Sequence, residues 1–193
     1  MPSATGSHSS PSLDSILHAL QQSLNHHDPS HAQSQLQKAK LALLQNNALI
    51  PSSQTSPQTL TTARSILEAG ALLSIRSRDP QSFIRYYSQL QPFYDSSDLQ
   101  RHPSQNRSKI TGLYLLLLLS QGDYAGFHTL LETLIVAEGG NNGKSVEDDP
   151  FIRYPVELER SLMEGSYDQV WRKTSGRDVP GEEFALFSDV SSP

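Results

Sequence analysis

A recurring pair of residues constrains the fold of this chain more than any other feature: a helix-capping residue followed four positions later by an apolar one. The pairs are Asp28 with Ala32, Asp79 with Phe83, Asp123 with Phe127, and Ser166 with Val170. The capping residues are 51, 44 and 43 positions apart. Such a period is typical of stacked helix pairs, none of which can bury its apolar face alone. The pattern therefore predicts a right-handed solenoid of stacked helix hairpins rather than a compact bundle.

Apolar residues at helical spacing predict the helices themselves, and no segment alternates as a half-buried strand does. The predicted helices lie at about 13–24, 29–46, 58–75, 80–92, 106–121, 123–135, 150–163 and 166–171. The run 113–119 is apolar on nearly every face, which indicates a helix surrounded by others. Ala69, Gly70 and Ala71 are small enough to let a neighbouring helix approach closely. The predicted fold class is all-α and TPR-like, with a disordered tail at 1–11 and a helical-repeat domain at 12–178.

The hairpin at 154–171 reads YPVELERSLMEGSYDQVW. Gly165 is expected to end its first helix, and the second places Tyr167, Val170 and Trp171 on one face. Trp171 is therefore predicted to be a core anchor, whose replacement by alanine would cost about 3–5 kcal/mol. The charged residues of this hairpin are spaced as a solvated face would space them, and nothing in it resembles a catalytic centre.

Composition excludes several classes of function. The 193 residues contain no cysteine, which excludes disulfides and thiolate chemistry and fits a reducing cytosol or nucleus. The beginning of the chain lacks the pattern of a signal peptide, and the longest apolar run is far shorter than the ~20 residues that span a bilayer. We therefore expect no membrane association.

The net charge is +3 over residues 1–109 and −8 over 110–193. This balance disfavours nucleic acid as a partner, and it fits either a solvated acidic face or steering toward basic protein surfaces.

Apparent active sites are interpreted as structural features. The loop EGGNNGKS at 138–145 ends like a phosphate-binding loop, with Gly143, Lys144 and Ser145, but Glu138 stands where the first glycine is required. The histidines His26, His27 and His31 are separated by a helix boundary, which favours an exposed cluster over a zinc site. Capping accounts for Asp149 beside Asp148. We predict no catalytic, cofactor-binding or metal-binding residue.

The densest aromatic patch lies at one predicted helix. Its members are Tyr86, Tyr87, Phe93 and Tyr94. A base-stacking platform is one interpretation. The favoured interpretation is that these aromatic side chains form core between helices, with a rim that faces another protein. Tyr86 and Tyr94 are accordingly candidate partner contacts.

Three segments resemble a known family. They are SKITGLYLLLLLSQGDYAGFHTLLETL at 108–134, YPVELERSLMEGSYDQVW at 154–171 and VPGEEFALFSDV at 179–190. They closely resemble the small PCI-domain subunits of the proteasome regulatory-particle lid, over most of residues 60–190. The resemblance implies a non-catalytic scaffold of helical repeats followed by a winged helix, so that this chain is the N-terminal part of a PCI-type protein. Residues 179–193 are then expected to be the start of a truncated winged-helix region.

The resemblance also implies partners and a location. These are the other lid subunits, the deubiquitinating subunit and the ubiquitin-receptor subunit, in cytoplasm and nucleus, with no cofactor and with a monomer when the chain is isolated. By the same analogy Glu157, Glu164 and Asp168 are the candidate partner contacts on the hairpin. Two alternatives stay open: an adaptor of another PCI complex, of the signalosome or translation-initiation kind, and a nucleotide-binding enzyme resting on residues 143–145 alone.

Overall fold

The computed structural model describes residues 13–25, 29–52, 55–100, 102–138, 146–175 and 179–188. Within these ranges the chain is helical and contains no strand, which confirms the all-α prediction. The helices are α1 (Leu13–Asn25), α2 (Pro29–Gln45), α3 (Pro57–Arg76), α4 (Pro80–Tyr94), α5 (Ser97–Gln100), α6 (Arg107–Ser120), α7 (Tyr124–Glu138), α8 (Pro150–Met163), α9 (Tyr167–Ser175) and α10 (Glu182–Ser188). A 3₁₀ turn at Val146–Asp148 precedes α8. None of the helices described here is long and apolar enough to cross a bilayer.

Consecutive helices pack as hairpins, and the hairpins stack on one another. The pairs are α1 with α2, α3 with α4, α6 with α7, and α8 with α9. Contacts of α1 with α3, of α4 with α6 and of α6 with α8 join each pair to the next. One cluster of buried apolar side chains runs from α1 to α10, and a smaller one lies between α6, α7 and α8. This architecture is the expected helical repeat, while the hand of the stack stays a prediction.

In three of these hairpins, the same kind of turn joins the first helix to the second. A residue with positive φ ends the first helix: Arg78 (φ 54°), Gly122 (φ 71°) and Gly165 (φ 68°). The N–H of the next residue then bonds the carbonyl five positions earlier, from Asp79 to Ser74, Asp123 to Leu118 and Ser166 to Ser161. This is the Schellman arrangement that satisfies the last carbonyls of a helix. The second helix starts directly afterwards, so that Asp79, Asp123 and Ser166 each stand immediately before the second helix of a hairpin.

The apolar members of the recurring pairs lie inside. Phe83 and Phe127 are fully buried, Ala32 is buried and Val170 is half-buried against the core. The aspartates cap as expected, since Asp79 accepts a hydrogen bond from Ser82 N at 3.0 Å and Asp123 one from Gly126 N at 2.9 Å. The hydroxyl and backbone N–H of Ser82 lower the pKa of Asp79. Asp28 lies outside the described residues.

The small residues of α3 allow the close approach that the sequence indicated. A Cβ placed on Gly70 would lie 2.6 Å from the Tyr86 ring of α4, so the ring occupies the space that a side chain would need. Ala69 and Ala71, on either side, are both buried. The absence of a side chain at Gly70 therefore sets the distance between α3 and α4.

One prediction about a helix end was wrong. Pro92 was expected to end α4, but the helix continues to Tyr94. Pro92 has no N–H to donate to the carbonyl of Ser88, and Ser88 is exposed, so solvent can hydrogen-bond that carbonyl. The third helix begins at Pro57, within one residue of its predicted start, because Ser56 caps it through the N–H of Thr59 at 3.2 Å.

Trp171 is not a core anchor. Its side chain is 63% exposed and that of Tyr167 is 72% exposed, whereas Val170 faces the core. Successive helical positions are rotated by about 100°, so the direction of Val170 toward the core turns Trp171 outward. The predicted loss of about 3–5 kcal/mol for a buried tryptophan therefore does not apply to this position.

Candidate protein-interaction surface

A contact between backbones positions α8, the first helix of the last hairpin. Asp149 caps it by accepting a hydrogen bond from Phe151 N at 2.9 Å. Pro155, inside the helix, has no N–H to offer the carbonyl of Phe151. That carbonyl oxygen instead lies against Gly112 of α6, where a Cβ would stand only 2.2 Å from it. The proline and the glycine therefore act together, because one releases the carbonyl and the other makes room for it.

Side chains fix α9 to α8. The hydroxyl of Tyr154 donates to the backbone carbonyl of Lys173 at 3.4 Å. The Lys173 ammonium lies 3.3 Å from Glu157 Oε2 and donates to the Glu157 carbonyl at 3.2 Å. Glu157, a predicted partner contact, is thus half-buried and already holds an internal ion pair. It contributes to the hairpin more than to an outer surface.

The other two predicted acids of this hairpin lie on its outside. Glu164 and Asp168 are both exposed, at the end of α8 and in the first turn of α9. Asp168 also complements the positive end of the α9 dipole. Beside them three apolar side chains are exposed, Met163, Tyr167 and Trp171. We call these five residues the α9 surface.

Sequence reasoning missed the apolar half of the α9 surface. A signal was present, since Met163, Tyr167 and Trp171 follow one another at intervals of four, as do Glu164 and Asp168. The amphipathic pattern does not say which side of a nine-residue helix faces inward. Aromatic residues exposed beside charged ones are typical of the anchors of protein interfaces.

Tyr86 and Tyr94 are not available to a partner, so this part of the prediction was wrong. Their exposed fractions are 4% and 8%. The Tyr86 ring packs on Gly70 and lies under the Lys40 ammonium, 4.5 Å from its centroid. The Tyr94 hydroxyl donates to Glu68 Oε1 at 3.2 Å. Burial and the neighbouring Glu68 carboxylate raise the pKa of Tyr94 above its ordinary range. Both tyrosines instead form core between helices, which was the other part of the favoured interpretation of the aromatic patch.

A buried polar network surrounds Tyr94 and holds the segment between α4 and α6. Glu68 accepts hydrogen bonds from Tyr94 and from Asn106 Nδ2, the latter at 3.2 Å. Arg64, one turn earlier on α3, donates to the carbonyl of His102 at 2.8 Å. Its Nε lies 3.8 Å from Glu68 and makes no hydrogen bond. The network fixes both ends of the segment 102–106 to α3, and sequence reasoning did not foresee it.

A second buried carboxylate joins the end of the described chain to the core. Glu183 of α10 forms ion pairs with Arg76 of α3 and Lys109 of α6. Burial alone would raise the pKa of Glu183, but the hydrogen bonds from Lys109 and Arg76 outweigh it and hold the pKa below its ordinary value. Phe184, the next residue, is fully buried. These contacts also escaped the sequence analysis.

The described residues contain no group of three His, Asp or Glu side chains close enough to hold a metal ion. His31 Nδ1 lies 2.7 Å from Ser23 Oγ, within the first hairpin. His26 and His27, and the segment Gly143, Lys144 and Ser145, lie outside the described residues. What the described surface offers is a set of exposed apolar and acidic side chains, suited to contact with another protein.

Comparisons with known proteins agree with this architecture. A family model described as the CSN8/PSMD8/EIF3K family matches residues 105–185. The 26S proteasome regulatory subunit RPN12 of Saccharomyces cerevisiae is 35% identical over 184 residues, 93% of this chain and 65% of the relative. Its Schizosaccharomyces pombe counterpart is 35% identical over 84% of this chain and 56% of the relative. The 26S proteasome non-ATPase regulatory subunit 8 homolog A of Arabidopsis thaliana is 34% identical over 80% and 55%, respectively.

The stacked hairpins and these matches define the chain as a helical-repeat protein of the PCI-related class. Residues 105–185 are similar to the CSN8/PSMD8/EIF3K family, and the three relatives named above are regulatory subunits of the 26S proteasome. The expected resemblance is thereby confirmed. The chain spans 55–65% of the length of these relatives.

Proposed function

We propose that this chain acts as a non-catalytic scaffold subunit of the 26S proteasome regulatory-particle lid, in ubiquitin-dependent protein degradation. The observation that carries the proposal is the similarity to a proteasome regulatory subunit along 93% of the chain. A stack of helix hairpins suits such a role, because it presents a long surface on a rigid frame. The Arabidopsis thaliana relative is named a non-ATPase subunit, which agrees with a scaffold that hydrolyses no ATP. The proposed scaffold has no catalytic centre and no cofactor of its own.

The proposed partners are the other lid subunits, including the deubiquitinating subunit and the ubiquitin-receptor subunit. The scaffold would contribute to lid assembly, to the association of lid and base and to retention of the receptor, in cytoplasm and nucleus. The isolated chain would be a monomer. Residues 12–178 would form the repeat domain, and 179–193 would begin the winged-helix region of the longer relatives.

The α9 surface is the proposed place of contact. Exposed Tyr167 and Trp171 supply large apolar area at a low cost in side-chain entropy, and such residues dominate the energetics of interfaces. Glu164 and Asp168 beside them favour a partner with basic residues around an apolar centre. The excess of acidic residues in the second half of the chain acts in the same direction.

A second candidate function is that of an adaptor in the signalosome or in a translation-initiation complex. The observation that favours it is the description of the matched family, which joins CSN8 and EIF3K to PSMD8. The architecture would be the same, so the composition of the assembled complex distinguishes the two candidates.

The α9 surface is tested by comparing tagged chains in lysate of the source organism. The double variant Tyr167→Ser and Trp171→Ser should recover at least about tenfold less of the lid subunits than the unchanged chain, by quantitative mass spectrometry, if these residues are interface anchors. Val136→Ser is the matched control, since Val136 is an apolar residue of α7 that is also highly exposed. Equal recovery with both variants would remove the α9 surface from the proposal.

A further inference from the structure

Two adjacent side chains hold α10 in a groove formed by α3, α6 and α8. The first is Glu183, which is only 2% exposed. Its Oε1 accepts a hydrogen bond from Arg76 Nη2 at 2.9 Å, and its Oε2 lies 2.8 Å from Lys109 Nζ. Arg76 and Lys109 both keep part of their side chains exposed, at the rim of the groove. One carboxylate thus bridges a cation on α3 and a cation on α6.

The second side chain is Phe184, which fills the apolar floor of the groove. Its ring stacks with that of Phe151, with centroids 5.8 Å apart, and meets the Tyr154 ring edge-on at 5.9 Å. Its Cζ lies 3.2 Å from the position of a Cβ on Gly112. The floor therefore depends on the glycine that also lets α6 and α8 approach each other. The groove therefore has a positively charged rim and an aromatic floor. These two features are complementary to an acidic residue followed directly by an aromatic one.

Little else that the structure describes on α10 takes part in this contact. Glu182 and Ala185 are exposed. A helix of seven residues is not stable in water by itself, so its order comes from docking. Helix-in-groove recognition of short segments works in this way, with a few anchor residues supplying most of the affinity.

We propose that this groove is a recognition site for a helical segment carrying an adjacent glutamate–phenylalanine pair, and that α10 is its occupant within this chain. A segment with the same two side chains, presented in trans, binds the groove when α10 is withdrawn. The specificity comes from the negative charge of the first residue, held between two cations, and from the planar ring of the second. The inference concerns the groove alone and is independent of the assignment to the proteasome.

The test uses the full chain with Phe184→Ala, which removes the anchor of α10 but leaves the groove intact. The probe is a fluorescently labelled peptide with the sequence of residues 179–188, and binding is read by fluorescence anisotropy. The variant should bind the peptide saturably, and the unchanged chain at least about tenfold more weakly because α10 already fills the site. A peptide with the equivalent of Glu183→Gln should bind the variant at least about tenfold more weakly, since the charge is lost.

A second measurement keeps the proposal falsifiable if Phe184→Ala prevents folding. Hydrogen exchange of the full chain with Lys109→Gln should show faster exchange in residues 182–188, with α3 and α4 unchanged. Lys38→Gln is the matched control, because it removes an exposed lysine of α2, a helix that takes no part in the groove. Three outcomes would overturn the proposal. The two peptides could bind equally well, or a folded Phe184→Ala chain could fail to bind the peptide. Hydrogen exchange in α10 could also be the same in the Lys109→Gln chain as in the unchanged chain.

Discussion

Replacement of Gly112 by alanine tests the packing on which the last hairpin depends. In an exposed helix interior the change from glycine to alanine stabilises by about 1 kcal/mol, because alanine loses less backbone entropy. At Gly112 the added Cβ would stand 2.2 Å from the carbonyl oxygen of Phe151 and 3.2 Å from the Phe184 ring. The first of these neighbours is backbone and cannot rotate away.

The size of the stability loss follows from how far the Phe151 carbonyl oxygen must move away from the added Cβ. A carbon–oxygen contact is comfortable at about 3.3–3.6 Å, so α8 would have to withdraw from α6 by about 1 Å. Overpacking of this kind costs about 1–3 kcal/mol, and the upper end is expected where an entire helix must shift. After subtraction of the helix-propensity gain, we predict a loss of about 2 kcal/mol in the free energy of unfolding. For a chain of this size that corresponds to a fall of about 4–8 °C in Tm.

The assay is urea unfolding followed by far-ultraviolet circular dichroism, with Tm as a second readout. Gly126→Ala is the matched control, because a Cβ there meets the side chain of Asp123 rather than backbone. The control should change stability by no more than about 1 kcal/mol, because the gain in helix propensity offsets the disturbance of the Asp123 cap. A Gly112→Ala chain as stable as the unchanged chain, or more stable, would refute the close contact of α6 with α8.

Three further predictions follow from burial and from hydrogen bonds. Trp171→Ala should change the free energy of unfolding by no more than about 0.5 kcal/mol, whereas Phe127→Ala, at a fully buried position, should lower it by about 3–5 kcal/mol. A loss for Trp171→Ala as large as that for Phe127→Ala in urea titrations would contradict the exposure of Trp171. Tyr94→Phe should cost about 1 kcal/mol in the same assay, because Glu68 loses a buried donor, and an unchanged midpoint would argue against that hydrogen bond. Since the pKa of Glu183 is depressed in the folded state, its contribution to stability is complete above its ordinary value of 4.5 and is lost as the pH falls through the lower folded value. Glu183→Gln should therefore flatten the fall of Tm in that acidic window, and an unaltered pH profile would exclude Glu183 as its source.

Local features of the fold were predictable because their causes are local. The capping residues Asp79 and Asp123, and Gly165 at positive φ, act within one turn of chain, and the sequence displays them directly. The small residues around Gly70 also predicted the close approach of α3 and α4 correctly. Each of these signals depends on neighbours within about four positions.

The buried carboxylates were not predictable in the same way. Glu183 pairs with Arg76, 107 positions away, and Glu68 with Asn106, 38 positions away. A charged residue in an amphipathic helix is assigned to the solvated side unless its distant partner is known. For the same reason the side of α9 that carries Trp171 could not be fixed, because the orientation of a nine-residue helix is decided by contacts with α8.

The most direct test of the proposed function is affinity purification of the tagged chain from lysate of the source organism, with quantitative mass spectrometry of the co-purifying proteins. The three kinds of complex named in the family description are scored in the same experiment. Enrichment of 26S proteasome regulatory subunits over signalosome and initiation-factor subunits is the predicted result. Enrichment of signalosome or initiation-factor subunits, or no enrichment of proteasome subunits, would contradict the account.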